Sequence, residues 1–146
     1  MNPTGDRRLY FAYGSNMDPE QMAERCPGSC ALGAARMDDR RFLINKRGYA
    51  TIEPSSGDVV WGVLWSLTKG HIVALDEYEG VAEGMYHHEF PHCQLNGHLL
   101  KPLVYVDPVF SVAEPKADYM QRVVYGGRFF ILPETYMDQL EARWSP

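Results

Sequence analysis

The clearest alternation in the chain runs from Val59 to Leu67. Val59, Trp61, Val63, Trp65 and Leu67 fall on one face of a strand, and Val60, Gly62, Leu64 and Ser66 fall on the other. Both faces are largely apolar, so this strand is expected in the middle of a sheet. Gly62 leaves room for a close neighbour on its side. The tryptophans read as core.

The same pattern places the other elements. Residues 7–12 read as a first strand, with Leu9, Tyr10, Phe11 and Ala12 as its buried run. Gly14, Ser15 and Asn16 form a tight polar turn. Asp18 as cap and Pro19 at the first position start a helix to Arg25, closed by Cys26-Pro27-Gly28. Residues 30–46 predict two short strands broken near Asp38-Asp39. Ala50 to Glu53 predicts another, ended by Pro54 and the turn Ser55-Ser56-Gly57-Asp58. Thr68 caps a helix over residues 69–79 that ends at Gly80.

Met85 to Leu95 and His98 to Asp107 flank Asn96-Gly97, the strongest hairpin signal in the sequence. A two-residue turn there sets Pro91 opposite Pro102. Neither can donate to the ladder, so a bulge or break is expected at that level. Ala113 to Gly126 and Pro133 to Arg143 read as the last two helices. Strands that follow one another at hairpin distances predict an α+β domain spanning residues 1–146. Its architecture is a mainly antiparallel, strongly curved sheet or β-barrel with a few helices around it.

Composition narrows the function classes. Hydrophobic residues make up 45% of the 146 residues and the net charge is −5, with no basic block. That fits a globular core and argues against nucleic acid as the main partner. No run is long and apolar enough for a membrane span. The N-terminal Met1–Arg8 has no apolar signal core, and three cysteines cannot all pair within one chain. A cytoplasmic protein with free thiols, monomer or homodimer, is the expectation.

Two stretches carry candidate chemistry. The first is the strand-to-helix loop at Gly14, Ser15 and Asn16, whose backbone N–H groups suit a carboxylate or a developing oxyanion. As a turn alone, it would only reverse the chain. The second is the end of the 69–79 helix. Asp76, Glu77 and Glu79 lie where the helix dipole disfavours acids, by about 0.3–1 kcal/mol each. Ile72, Leu75, Asp76 and Glu79 share one face, so Glu79 continues an apolar stripe. A carboxyl pushed toward a core has a raised pKa, which a general base working near neutrality needs. The bland reading is a solvated acidic helix end.

Other chemistries are weaker. Ser15 lacks the G-x-S-x-G elbow and an indicated His–acid pair. His88 and His92 share a strand face near Cys93, but no carboxylate completes a ligand spacing, and no metal or other cofactor is expected.

Taken together, these residues resemble the γ-glutamylcyclotransferase family, AIG2-like proteins included. The resemblance rests on Y-G-S-N at Tyr13–Asn16, W-G-V at Trp61–Val63 and L-D-E-Y-E-G-V-A-E-G-M-Y at Leu75–Tyr86. Pro115, Tyr119, Gly126-Gly127 and L-P-E-T-Y at Leu132–Tyr136 follow in the family's order. The resemblance implies a small mixed barrel with helices packed around it. It implies that Tyr13, Gly14, Ser15, Asn16 and Met17 hold the glutamyl part of a small-molecule γ-glutamyl substrate. It implies Glu79 as catalytic base, with Tyr86 and Tyr119 near the pocket. Glu83, near the motif but beyond Gly80, is the next candidate should Glu79 prove dispensable. The implied reaction is attack of the substrate's own α-amine on its γ-carbonyl, releasing 5-oxoproline. Removal of a γ-glutamyl group from a carrier-bound intermediate and a non-catalytic binding module are the alternatives.

Overall fold

A computed structural model describes residues 7–144. In chain order the elements are β1 (Arg8–Ala12), a 3-10 turn (Ser15–Met17), α1 (Pro19–Arg25), β2 (Cys30–Ile44) and β3 (Ala50–Leu67). Then come α2 (Lys69–Tyr78), β4 (His87–Glu89), β5 (Cys93–Leu95), β6 (His98–Leu100), β7 (Val104–Val106), α3 (Tyr119–Phe129) and α4 (Glu134–Trp144).

β3 is the spine. It pairs antiparallel with β1 on one side and β2 on the other, in the sheet order β1-β3-β2-β5-β6. This is why both of its faces are apolar: Val60, Val63, Leu64, Trp65 and Leu67 are all buried. A Cβ at Gly62 would run into the Ala12 carbonyl and stand 2.8 Å from the Phe11 ring. The missing side chain therefore lets β1 lie tightly on the spine. Phe11 and Leu64 are wholly buried, each worth about 1.5–3 kcal/mol of transfer from water.

Two expected breaks are continuous in the structure. β2 runs unbroken through Asp38-Asp39, because Asp39 takes a left-handed conformation (φ 59°) and is absorbed as a bulge between the Asp38 and Arg40 pairings. β3 likewise runs through Pro54, which pairs with Arg40. β1 reaches only Val63 to Leu67 of β3, so the other side of Pro54 is an open edge that needs no donor.

The Asn96-Gly97 turn forms as expected, with φ of 49° and 81°. β5 and β6 pair with Cys93 opposite Leu100. The same register reappears in β4 and β7, with His87 opposite Val106. Between the two paired segments lies the level of Pro91 and Pro102, where the ladder stops. The tip of this long hairpin joins the large sheet through Arg36 and Gln94, while its base forms a separate two-stranded sheet. Leu103 bonds to β1 through Phe11 N to Leu103 O and Leu103 N to Leu9 O, both 2.9 Å. The described residues thus form two antiparallel sheets tied at this edge, a mixed α+β architecture. Of the curved sheet or barrel expected from the sequence, the α+β class and the antiparallel pairing are present, and the described residues close no barrel.

α3 begins later than its sequence pattern predicts. Residues 113–118 are drawn off by the turn after β2, through Ala113 N to Ile44 O and Lys116 N to Gly48 O, each 3.0 Å. Asp118 then sits at φ 66°, which a helix interior does not accept. At the other end, Gly126 and Gly127 lie inside α3 and do not stop it. A Cβ on Gly126 would meet the backbone of Met17 and Asp18, including the Met17 carbonyl oxygen at 2.6 Å. A helix without side chains at this level can press directly on the 13–18 loop.

Candidate active site

The loop and α2 meet at a cavity of about 450 Å³. Each wall has a local cause. The hydrophobic run of β1 carries Tyr10 and Tyr13 into the interior, and the chain then turns sharply at Gly14. The Asp18 side chain accepts from Glu20 N at 2.9 Å and starts α1. Across the cavity, Thr68 and His71 cap the start of α2 reciprocally, with both bonds at 3.1 Å. α2 ends with Glu79 as its C-cap, followed by Gly80 at φ 63°. Leu75 on the same face is completely buried, and this anchors the stripe that ends at Glu79.

Tyr13, Gly14, Ser15, Asn16, Glu79, Tyr86 and Tyr119 all line this cavity. Met17 does not: its side chain is fully buried behind the loop, and its amide donates to the Gly14 carbonyl at 3.1 Å. The 3-10 turn consumes the Met17 N–H internally, so of residues 14–17 only Gly14, Ser15 and Asn16 have amides left to offer a ligand.

Glu79 is partly buried at the cavity wall. Burial raises its carboxyl from 4.5 to about 7, while the Arg25 guanidinium pulls the other way. Tyr10, Tyr13, Tyr86, Tyr105 and Tyr119 surround it closely enough for its charge to bear on each. All five phenols are pushed up, first of all by burial, and Tyr119 reaches about 12. They stay protonated at neutral pH. Tyr13 donates to the Tyr105 carbonyl at 2.6 Å, Tyr86 to the Ala50 carbonyl at 2.7 Å and Tyr105 to Asp76 at 2.6 Å. Tyr10 instead accepts from Asn16 Nδ2 at 2.9 Å, and Tyr119 accepts from Ala50 N at 3.2 Å. These two therefore keep a proton to give to something in the cavity.

The loop is braced from α1. Gln21 Nε2 donates to Ser15 Oγ at 2.7 Å and to Asn16 Oδ1 at 2.8 Å, and Arg25 Nη1 reaches Asn16 Oδ1 at 3.1 Å. Arg25 also lies over the Tyr78 ring, 4.4 Å from its centroid. Sequence reasoning did not find Tyr10, Gln21, Arg25 or Tyr105. Gln21 and Arg25 are four residues apart on α1, a spacing that puts both on the face toward the loop. Tyr105 follows from the hairpin register, which sets it opposite His88.

The histidines lie away from the cavity wall. His88 pairs with Asp76 at 2.8 Å and His92 is exposed, while Cys93 is buried in the sheet.

A family model described as gamma-glutamyl cyclotransferase, AIG2-like, matches residues 10–126. The gamma-glutamylcyclotransferase of Mus musculus is 34% identical, over 94% of this chain and 79% of the relative. That of Homo sapiens is 32% identical, over 96% of this chain and 80% of the relative. A solved gamma-glutamyl cyclotransferase structure superposes with a TM-score of 0.88 at 31% identity, covering 93% of this chain and 87% of the other. Sequence and architecture agree, and the chain belongs to the gamma-glutamyl cyclotransferase, AIG2-like family of enzymes.

Proposed function

We propose that this enzyme releases 5-oxoproline from a γ-glutamyl amide, either a γ-glutamyl amino acid or a γ-glutamyl amine, with Glu79 as general acid and base. The observation that carries the reading is the placement of the Glu79 carboxyl, raised to about 7, in one cavity with the Gly14–Asn16 loop. Glu79 takes a proton from the substrate's α-ammonium. The freed amine attacks the γ-carbonyl carbon and closes a five-membered ring. As the tetrahedral oxyanion collapses, the ring nitrogen gives up a second proton, and Glu79 passes both protons in turn to the departing nitrogen, which leaves as an ammonium. One γ-glutamyl amide thus becomes 5-oxoproline and a free amine, with no other reactant.

The nucleophile belongs to the substrate, so the protein's task is to fold the glutamyl chain until amine and carbonyl carbon lie about 3–3.5 Å apart. The loop amides, with Tyr10 and Tyr119 as donors, suit the substrate carboxylate and the oxyanion. Tyr13 and Tyr86 hold the wall by donating to backbone carbonyls. The free thiols accord with a cytoplasmic setting.

The test is a panel of γ-glutamyl amino acids and γ-glutamyl amines with 5-oxoproline detected by mass, run on the wild type and on Glu79→Gln. Turnover by the wild type and its loss in a folded Glu79→Gln variant is the expected result. A variant with wild-type turnover removes Glu79 from the role, and silence of the folded wild type across the panel refutes the substrate class.

A further inference from the structure

The pairing of Asp76 with both His88 and Tyr105 is not used by the chemistry above. Asp76 Oδ1 accepts from the Tyr105 hydroxyl at 2.6 Å and from His88 Nε2 at 2.8 Å. His88 and Tyr105 face each other as the middle pair of β4 and β7, with their rings edge-on at 5.3 Å. One carboxylate oxygen on α2 therefore grips both strands of the small sheet. The opposite side of the same sheet residue is also occupied, because the Tyr105 carbonyl accepts the Tyr13 hydroxyl at 2.6 Å. The Tyr105 ring lies edge-on to Tyr10 at 5.7 Å, and both line the cavity. Tyr105 thus connects α2 to the start of the 13–17 loop.

We infer that Asp76 is a positioning residue, which holds the last turn of α2, and with it Glu79, at a fixed distance from the loop through Tyr105 and His88. Asp76 and Glu79 are one helical turn apart, so a rotation of the last turn that loses the first displaces the second. An acid three residues before a helix C-cap opposes the dipole. Two donors that bond only an acceptor at this place supply the reason for it. Asp76 takes no part in the proton transfers and need not touch the substrate. The inference rests on the reaction proposed above but is tested apart from it.

The experiment compares Asp76→Ala, Asp76→Asn and Tyr105→Phe in the full chain. Kinetics are normalised to folded protein, and the Glu79 carboxyl is titrated by carbon NMR. In Asp76→Ala, kcat is expected to fall about tenfold or more with KM changed by less than about threefold, since the loop still holds the glutamyl group. The Glu79 titration is expected to move down from about 7 toward 4.5 as the turn loosens and the carboxyl gains water. Tyr105→Phe should shift both readouts in the same direction. Asp76→Asn keeps an oxygen that accepts the Tyr105 hydroxyl, and should recover most of both. An Asp76→Ala variant that is less stable, yet titrates at Glu79 as the wild type does, overturns the inference. So does failure of Asp76→Asn to recover the titration. The NMR readout needs no turnover, so a wrong substrate class and a wrong role for Asp76 give different results.

Discussion

The Tyr119 hydroxyl stands 2.7 Å from where the first side-chain carbon of any other residue at Gly14 would lie. The Ser15 amide and hydroxyl also bear on that phenol, and Ala50 N donates to it. Helix α3 and the loop are therefore fitted to each other at one oxygen atom. Gly14→Ala must drive Tyr119 out of place, and a displacement near 1 Å at a reacting centre costs about 100-fold in rate. Activity of Gly14→Ala should fall by that order with the fold intact by circular dichroism. Paired with Tyr119→Phe, which removes the colliding oxygen, the second substitution should cost much less than it does alone, as a double-mutant cycle will report.

Glu79→Gln should make the protein more stable at high pH while abolishing turnover. The folded state holds the Glu79 proton up to about pH 7, whereas the unfolded chain releases it near 4.5. Between those values the native state binds more protons, so ionising Glu79 lowers stability as pH rises, and the loss is complete above about 7. The shift corresponds to about 3 kcal/mol. Urea midpoints of Glu79→Gln and wild type should coincide near pH 4 and separate in favour of the variant by pH 8. By the same titration, kcat/KM of the wild type should rise with pH through about 7 on its acidic limb.

Gly126→Ala reverses the usual helix rule. Alanine is favoured over glycine inside a helix by about 1 kcal/mol. Here the added carbon meets Met17 and Asp18 backbone, which cannot rotate away. Net destabilisation of about 1–3 kcal/mol is expected, as for other forced overpacking. Chemical denaturation measures it, and activity should drop as well because α3 and the loop are pushed apart.

Asp107→Ala should be the most damaging of these changes to stability. Asp107 is fully buried and accepts from Asn45 Nδ2 at 2.9 Å, Arg47 Nε at 2.8 Å and Val109 N at 3.0 Å. Removing the carboxylate leaves the Val109 amide without its acceptor and Asn45 Nδ2 with only the Val109 carbonyl, while Arg47 is open enough to turn to water. Each buried donor left unpaired costs about 1–3 kcal/mol. A fall in the thermal midpoint by several degrees or outright failure to fold is the expected outcome.

Much of this molecule is readable in one dimension where a local rule decides. Val59 to Leu67 reads as a central strand because burial on both faces leaves no polar alternation. The Asn96-Gly97 turn and the interruption at Pro91 and Pro102 follow from residue chemistry and counting. Asp18, Thr68 and Gly80 mark helix ends by their own side chains or lack of one. The local signal misleads where a distant partner overrides it. Pro54 looks like a strand end until one sees that β1 stops short of it. Pro115 looks like a helix start until the turn at Ile44–Gly48 claims the backbone around it. Glu79 could be singled out because an acid there breaks two patterns at once. Arg25 and Tyr105 break none, and their place at the cavity depends on how α1 and the hairpin pack, which no short window of sequence records.

The proline pair also sets how stiff the hairpin is. A ribbon with a full set of rungs would be stiff and would have to commit to a single sheet along its whole length. Pro91 and Pro102 put an elbow in it, so the tip can lean on β2 while the base turns to present His88 and Tyr105 to α2. Replacing both prolines with residues that can donate would add rungs at that level and stiffen the elbow, although Leu103 stays tied to β1. The change would then be felt at the acid on α2, although neither proline is among the cavity's walls.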